Sequence, residues 1–223
     1  LEVMKTILSG SIDAIITDPP YGTTACKWDS IIHFDLMWEQ LNRIIKPNGA
    51  IVLFAQQPFS SVLLVSNIKK FRHRFLWEKD KCANFMVAKA QPLKYTEDIL
   101  VFCNCGFLKN QYKNVVGTYN PQMREGKGSD RDLKKIVDKS ENLDDINKRK
   151  NPTKLKLSNN SSKQRFPKDV LNINTQHKRQ HPTQKPIALM EYLIKTYTNE
   201  GEIVLDFTMG SGSTGVAAKN LNR

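Results

Sequence analysis

Ser11-Ile12-Asp13-Ala14-Ile15-Ile16-Thr17-Asp18-Pro19-Pro20-Tyr21 is the stretch whose reading decides the fold. A short apolar, β-branched run that stops at a Pro-Pro turn reads as a buried strand. Working outward, Phe34 to Ile45 carries Leu36, Met37, Leu41, Ile44 and Ile45 at helical spacing. Pro47-Asn48-Gly49 is expected to stop that helix, and Ala50–Ala55 reads as the next strand. Further strands are predicted at His73–Trp77 and Asp98–Cys103. Near the C-terminus, Pro186 to Ile194 reads as an amphipathic helix with proline at its start. Glu202–Asp206 then reads as a strand, and a glycine turn leads into a helix over Thr214–Leu221. Strand and helix in alternation predict an α/β fold, with a doubly wound, mostly parallel sheet.

The alternation breaks between residues 104 and 180. That segment holds 18 Lys/Arg against 8 Asp/Glu, so +10 of the chain's formal +12 is concentrated there. Asp130 to Lys163 is rich in Lys, Asn, Ser and Asp and poor in apolar anchors, and it reads as mobile loop or short exposed helix. A regional positive field favours a polyanionic partner; the competing reading is a solvated insertion without function. Three segments follow: 1–103, a basic insert at 104–180, and 181–223.

Other function classes are excluded or weakened. No run of 18 or more apolar residues is present, so no helical span is expected. Leu1-Glu2-Val3-Met4 has neither a basic nor an apolar leader pattern, and an N-terminal stretch is expected to precede Leu1. Cys26, Cys82, Cys103 and Cys105 form no CxxC pair, so reduced thiols are expected rather than a zinc site. His177 and His181 lack a carboxylate or cysteine at ligand spacing, so no metal is expected.

Two motifs carry chemistry. Asp18-Pro19-Pro20-Tyr21 follows a strand at the edge where open α/β sheets bind ligands. The amino nitrogen of adenine or cytosine is a poor nucleophile, because its lone pair is delocalised into the ring. The Asp18 carboxylate and the Pro19 carbonyl can each accept a hydrogen bond from such an amino group and stabilise developing positive charge. The prolines hold the backbone so that this carbonyl is pre-aimed, and Tyr21 offers a face for an extruded base. The second motif is Asp206-Phe207-Thr208-Met209-Gly210-Ser211-Gly212-Ser213-Thr214-Gly215. Glycines at a strand-to-helix turn let the backbone approach a ligand. Gly210, Gly212 and Gly215 satisfy GxGxxG, but a dinucleotide site needs an acid about 20 residues on, and the sequence stops eight residues after Gly215. Val216 in place of lysine argues against a Walker loop.

Together with His181-Pro182-Thr183-Gln184-Lys185-Pro186, the order of these motifs resembles the amino-methylating DNA methyltransferases of the β arrangement. Tyr21-Gly22-Thr23-Thr24-Ala25-Cys26-Lys27-Trp28-Asp29 is similar to the phage and prophage branch of that family. The resemblance covers nearly the whole chain apart from about 120–165. It implies a Rossmann-like, S-adenosylmethionine-dependent methyltransferase that flips a base out of double-stranded DNA and methylates it by direct in-line attack, with no covalent intermediate. It implies Asp18, Pro19, Pro20 and Tyr21 as the amino-group clamp and stacking platform. Asp206, Phe207, Gly210, Ser211, Gly212, Ser213 and Thr214 are implied as the wall around the cofactor, with Thr183 and Lys185 near its methionine end. Thr208 stands where proline is usual and Ser213 where threonine is usual. Family members also carry an acid before the equivalent of Leu1-Glu2 and a ribose-binding acid beyond the equivalent of Arg223. Truncated ends and weak cofactor affinity are therefore expected of the sequence as written.

Asp18 in the first motif position favours adenine N6 as target, with cytosine N4 as the alternative. A non-catalytic DNA-binding partner subunit and an NAD-dependent oxidoreductase are the competing classes. DNA contacts are expected from Lys79, Asn84, Lys178 and Arg179. Trp28, Trp38 and Trp77 are each weighed as base-stacking groups, with core packing favoured for Trp38 on its apolar helix face. Lys69–Arg74 is weighed as a solvated helix end or a phosphate contact. A cognate restriction nuclease and a homodimer are left open. No membrane partner is expected, and the location expected is the cytoplasm of a bacterium, with the gene bacterial or phage-borne.

Overall fold

The structure, a computed structural model, describes residues 1–23, 26, 29–82, 84–103, 117–125, 164–175 and 184–223. It has two compact units, one formed by Leu1–Asn120 with Lys168–Arg223 and one by Pro121–Pro167.

The larger unit is built on a six-stranded sheet. Its strands are β1 (Ile12–Thr17), β2 (Ile45–Ala55), β3 (Phe71–Glu78), β4 (Thr96–Cys103), β7 (Val170–Asn172) and β8 (Val204–Leu205). They lie in the order β7-β3-β4-β2-β1-β8. β1 pairs in parallel with β2 and β8, and β3 with β7, whereas β4 is antiparallel to both β2 and β3. Hence β4 alone runs backwards, and its first residues lie at the edge where the other five strands end.

Alternating side chains are buried on both faces, as expected of a sheet covered on both sides. Ala14, Ile16, Val52, Phe54, Ile99 and Val101 pack under α3 (Ile187–Tyr197) and α4 (Ser213–Asn220). Ile15, Ile51, Leu53, Leu100 and Phe102 face α1 (Phe34–Ile44) and α2 (Phe59–Ser66). The doubly wound, mostly parallel sheet is therefore present. Among the described residues, no helix is long and apolar enough to cross a membrane.

Several expectations need correction. Pro47-Asn48-Gly49 does not separate helix from strand, because β2 starts at Ile45 directly after α1 and bulges. Ile12 pairs with Ile45 and Ala14 already with Ala50. Gly49 is required in that bulge, since a Cβ there would come within 2.7 Å of the Asp13 carbonyl. The basic cluster Lys69–Arg74 is not a helix end, because β3 begins at Phe71. A register shift between Phe71 and His73 turns Phe71 towards Phe102, while Phe75 and Trp77 join the opposite face. The insert is also narrower than 104–180, since Val170–Asn172 extend the main sheet beside β3. The described part of the smaller unit, residues 121–125 and 164–167, includes the two-residue ladder of β5 (Arg124–Glu125) and β6 (Gln164–Arg165).

Trp38 and Trp77 are core residues, 6% and 2% exposed, and Trp77 Nε1 donates to the Ile173 carbonyl at 2.8 Å. Trp77 therefore has no free face for a base, and Trp28 lies outside the described residues. Cys26 and Cys82 are reduced thiols, not disulfide-bonded. Cys103 is disulfide-bonded, contrary to the expectation for all four cysteines. Spacing and composition do not reveal which sulfurs a fold brings together.

His73 on β3 meets the hydroxyl of the buried Tyr197, with Nε2 at 2.7 Å. Burial, with a smaller effect of the Arg72 charge, moves its pKa from 6.5 down to about 4. Neutral His73 is thus compatible with the fold. In the unfolded chain, histidine gains a proton as pH falls below about 6.5. Stability should accordingly be complete above that pH and decline as pH falls towards 4. Urea unfolding at pH 7 and pH 4.5 should show His73→Gln losing roughly 2 kcal/mol less than wild type between the two pH values. Leu41→Ala, at a fully buried α1 position, should cost about 2–5 kcal/mol in the same assay at pH 7.

Candidate active site

The strand ends define the site. Asp18-Pro19-Pro20-Tyr21 leaves the end of β1, Lys79 follows β3, and Asp206 follows β8, all at one edge of the sheet. The reversed direction of β4 brings Glu97, its second residue, to the same edge, where it pairs with Trp77. Lys185 enters from the segment just ahead of α3. These groups surround a cavity of about 990 Å³, lined also by Gly210–Thr214.

A compact charge cluster occupies one wall. Lys185 Nζ donates to Asp18 Oδ2 at 2.6 Å and contacts Glu97 Oε1 at 2.8 Å. The Tyr21 hydroxyl donates to Asp18 Oδ1 at 2.5 Å, with Glu97 Oε1 at 3.1 Å as the alternative acceptor of its single proton. Lys79 Nζ donates to Glu97 Oε2 and lies 4.8 Å from the Trp77 ring centre. Two carboxylates and two ammonium groups thus balance, as buried charge requires. The Lys185 side chain is 12% exposed and that of Glu97 5%.

The two carboxyls are driven apart. Burial raises the Asp18 pKa, and the Glu97 charge adds to this against the opposing pull of Lys185 and Tyr21. Burial would raise Glu97 as well, but Lys185 and Lys79 hold it down at about 2. Burial would lower Lys185, but Glu97 and Asp18 outweigh it and raise its pKa. Burial and the two nearby carboxylates push Tyr21 well above 10, so its hydroxyl stays a donor.

The opposite wall is the glycine turn. Gly212, at φ 77°, is the residue just before α4 and occupies the left-handed region that favours glycine. Asp206 fastens this turn to the first motif. Its Oδ1 accepts from Thr17 Oγ1 at 2.5 Å and from the Thr208 amide at 3.2 Å, and its Oδ2 accepts from Thr214 Oγ1 at 2.7 Å. Thr208 Oγ1 donates to the Asp18 carbonyl at 3.0 Å, joining two segments 190 residues apart.

The structure gathers Asp18, Pro19, Pro20, Tyr21, Lys185, Asp206 and Gly210–Thr214 around the cavity. Phe207 is not among the lining residues; it packs half-buried against the core under α1 and α2. Asp206 spends its carboxylate on Thr17, Thr208 and Thr214. Lys185 and Lys79 are both committed to the acid cluster, so Lys79 is an inner member of the site and not an exposed cation. Asn84 is tied into its own loop, accepting from the Lys94 amide and donating to the Pro92 carbonyl. Thr183, Lys178, Arg179, His177 and His181 lie outside the described residues. No metal-binding group of His, Cys, Asp or Glu occurs among the described residues.

Glu97 and Thr17 were not anticipated. The signal for Glu97 was available: Thr96-Glu97-Asp98 places two acids at the start of an apolar strand, where charge is rarely buried without a partner.

The DNA methylase family model matches residues 12–223. The Type II methyltransferase M.HpaI of Haemophilus parainfluenzae is 29% identical over 240 residues, covering the whole chain and 65% of that relative. The DNA adenine methyltransferase YhdJ of Escherichia coli (strain K12) is 27% identical over 236 residues, covering 98% of the chain and 71% of that relative. The chain thus spans about two thirds of the length of these curated relatives. The crystal structure of the M1.HpyAVI-SAM complex matches all of this chain and 86% of its own, with a TM-score of 0.56 and 26% identity. With the family model covering all but the first eleven residues, this chain belongs to the DNA methylase family.

Proposed function

We propose that this protein is a site-specific DNA methyltransferase that transfers a methyl group from S-adenosylmethionine to the N6 amino group of adenine. The observation that carries this reading is the meeting of Asp18 and the Gly210–Thr214 turn across one cavity, joined by the Thr208 to Asp18 hydrogen bond.

The residues on the glycine-turn wall fit the cofactor. The backbone N–H groups at the start of α4 suit a carboxylate, by the partial positive charge of a helix N-terminus. The Ser211 and Ser213 hydroxyls, 3.1 Å apart, offer further donors and acceptors. No heavy atom lies within 4 Å of where a Cβ on Gly210 or Gly212 would stand, so the turn opens onto free space. Gly210–Thr214 would hold the cofactor, which supplies an electrophilic methyl group on sulfur.

The protein's own part is positioning and charge. Asp18 accepts a hydrogen bond from the target amino group, which localises the nitrogen lone pair. Because the N–C bond would form as the methyl–sulfur bond breaks, leaving a neutral thioether, the nitrogen becomes cationic and must shed one proton. The Asp18 carboxylate takes it, since its pKa is raised while that of Glu97 stays near 2. Tyr21, whose ring lies 5.2 Å from that of Phe59 at a 31° tilt, offers its other face to the flipped base.

Adenine is favoured by Asp18 in the first motif position and by the likeness to an adenine methyltransferase. The basic residues concentrated between 104 and 180 supply phosphate contacts, including Lys178 and Arg179 beyond β7, so DNA affinity should fall steeply with salt. The protein works in the bacterial cytoplasm, and a cognate nuclease or a second copy of the chain is a compatible partner.

Asp18→Ala should lower methyl transfer by at least about a hundredfold, with DNA affinity in a gel-shift assay unchanged. Equal inactivity of wild type and variant would favour the non-catalytic binding subunit. Nucleoside mass spectrometry after reaction with labelled cofactor should show N6-methyladenine. N4-methylcytosine in its place would overturn the adenine assignment.

A further inference from the structure

We propose that Glu97 is a positioning residue that frees Asp18 for the target amino group, by taking over the two donors that otherwise occupy the Asp18 carboxylate. The proposal rests on the methyltransferase reading and concerns the same site.

Each Asp18 oxygen already holds a short hydrogen bond, Oδ1 from Tyr21 and Oδ2 from Lys185. An amino group arriving at that carboxylate competes with two strong donors, one of them charged. Charge-assisted bonds of this kind are about twice as strong as neutral ones, so a carboxylate saturated by them polarises a third donor poorly. Yet neither donor belongs to Asp18 alone. Lys185 is 2.8 Å from Glu97 Oε1, and the Tyr21 hydroxyl is 3.1 Å from the same atom. A small movement of either donor towards Glu97 transfers it with no loss of a partner.

Glu97 is built to receive them. Its other oxygen is anchored by Lys79, and its side chain is almost fully buried at the start of β4. It lies in a rigid strand, paired with Trp77 of β3. Its carboxyl stays ionised because Lys185 and Lys79 outweigh its burial, so it is always available as an acceptor. Asp18, raised by burial and by the Glu97 charge, is the one that can take a proton. The groups that set its state are Lys185, Glu97 and Tyr21, with Lys79 beyond Glu97 and Asp206 behind Thr17 and Thr208. The division of labour is geometric: one acid is reserved for substrate, and its neighbour stores the donors.

Glu97→Gln keeps the shape and removes the charge, leaving Asp18 as the nearest anionic partner of Lys185 and the stronger acceptor for it. With the full chain, kcat for methyl transfer should fall by roughly tenfold to a hundredfold, while KM for DNA and for S-adenosylmethionine is unchanged. The acid limb of the pH–rate profile should move to lower pH, because a negative charge that raises Asp18 is gone. Glu97→Asp, which keeps the charge but shortens the reach, should give an intermediate kcat. An independent readout is NMR of the Asp18 carboxyl carbon in protein labelled at aspartate, where the Glu97→Gln midpoint should lie below that of wild type. Wild-type kcat and pH profile in Glu97→Gln, or an unmoved Asp18 midpoint, would overturn the proposal. Should Glu97→Gln unfold below assay temperature, Glu97→Asp decides: reduced kcat at constant KM supports the proposal, and unchanged kcat sinks it. A wild-type chain that transfers no methyl group while the Asp18 midpoint still drops in Glu97→Gln would refute the methyltransferase reading and support the sharing of donors.

Discussion

One buried ammonium group organises this site. Lys185 lies between Asp18 and Glu97, three residues drawn from three separate parts of the chain. Removing either carboxylate would leave a charge in a poorly solvated place, so the three positions are mutually dependent. Such a cluster is weak evidence for stability, since desolvation offsets much of the attraction. Its value lies in position. The ammonium and the tyrosine hydroxyl hold Asp18 at the cavity wall in a fixed orientation, and Lys79 keeps Glu97 in place on the far side.

The same cluster depends on the reversed strand. In a fully parallel sheet, the residues at the cavity edge would all be strand ends. Because β4 runs backwards, its beginning reaches that edge, and Glu97 arrives on a strand buried along its length. A loop would hold such a charge less firmly, because its backbone is not locked by ladder bonds on both sides. The second anchor, Asp206, works similarly through hydroxyls and an amide. It binds Thr17, Thr208 and Thr214, and Thr208 in turn reaches the Asp18 carbonyl. At position 208 a proline is usual in the family the chain resembles. Threonine there supplies a hydroxyl that links the glycine turn to the Asp18–Tyr21 turn.

The sheet was readable because its strands bury both faces. Ile12–Thr17, Ala50–Ala55 and Ile99–Phe102 are apolar enough to stand out, and α1 repeats its apolar residues at helical spacing. The same rules failed where two signals compete. Pro47-Asn48-Gly49 has turn composition but sits in a bulge held by pairing on either side. Lys69–Arg74 has the charge of a surface segment, yet its alternate residues Phe71 and His73 belong to a strand. Val170–Asn172 is too short to register as a strand without the β3 edge to receive it.

By itself the sequence determined the α/β alternation, the pairing of Asp18-Pro19-Pro20-Tyr21 with the Asp206–Gly215 turn, and the family. These rest on local patterns: hydrophobic period, turn residues and motif order are properties of neighbouring residues in the chain. Only the tertiary structure decided which charges meet. Glu97 and Lys79 acquired a place in the site, and Lys185 turned out to face two acids, because strand direction and register bring together residues far apart in sequence. Electrostatic partnership depends on distances of a few ångströms between side chains, and spacing along the chain carries no record of them.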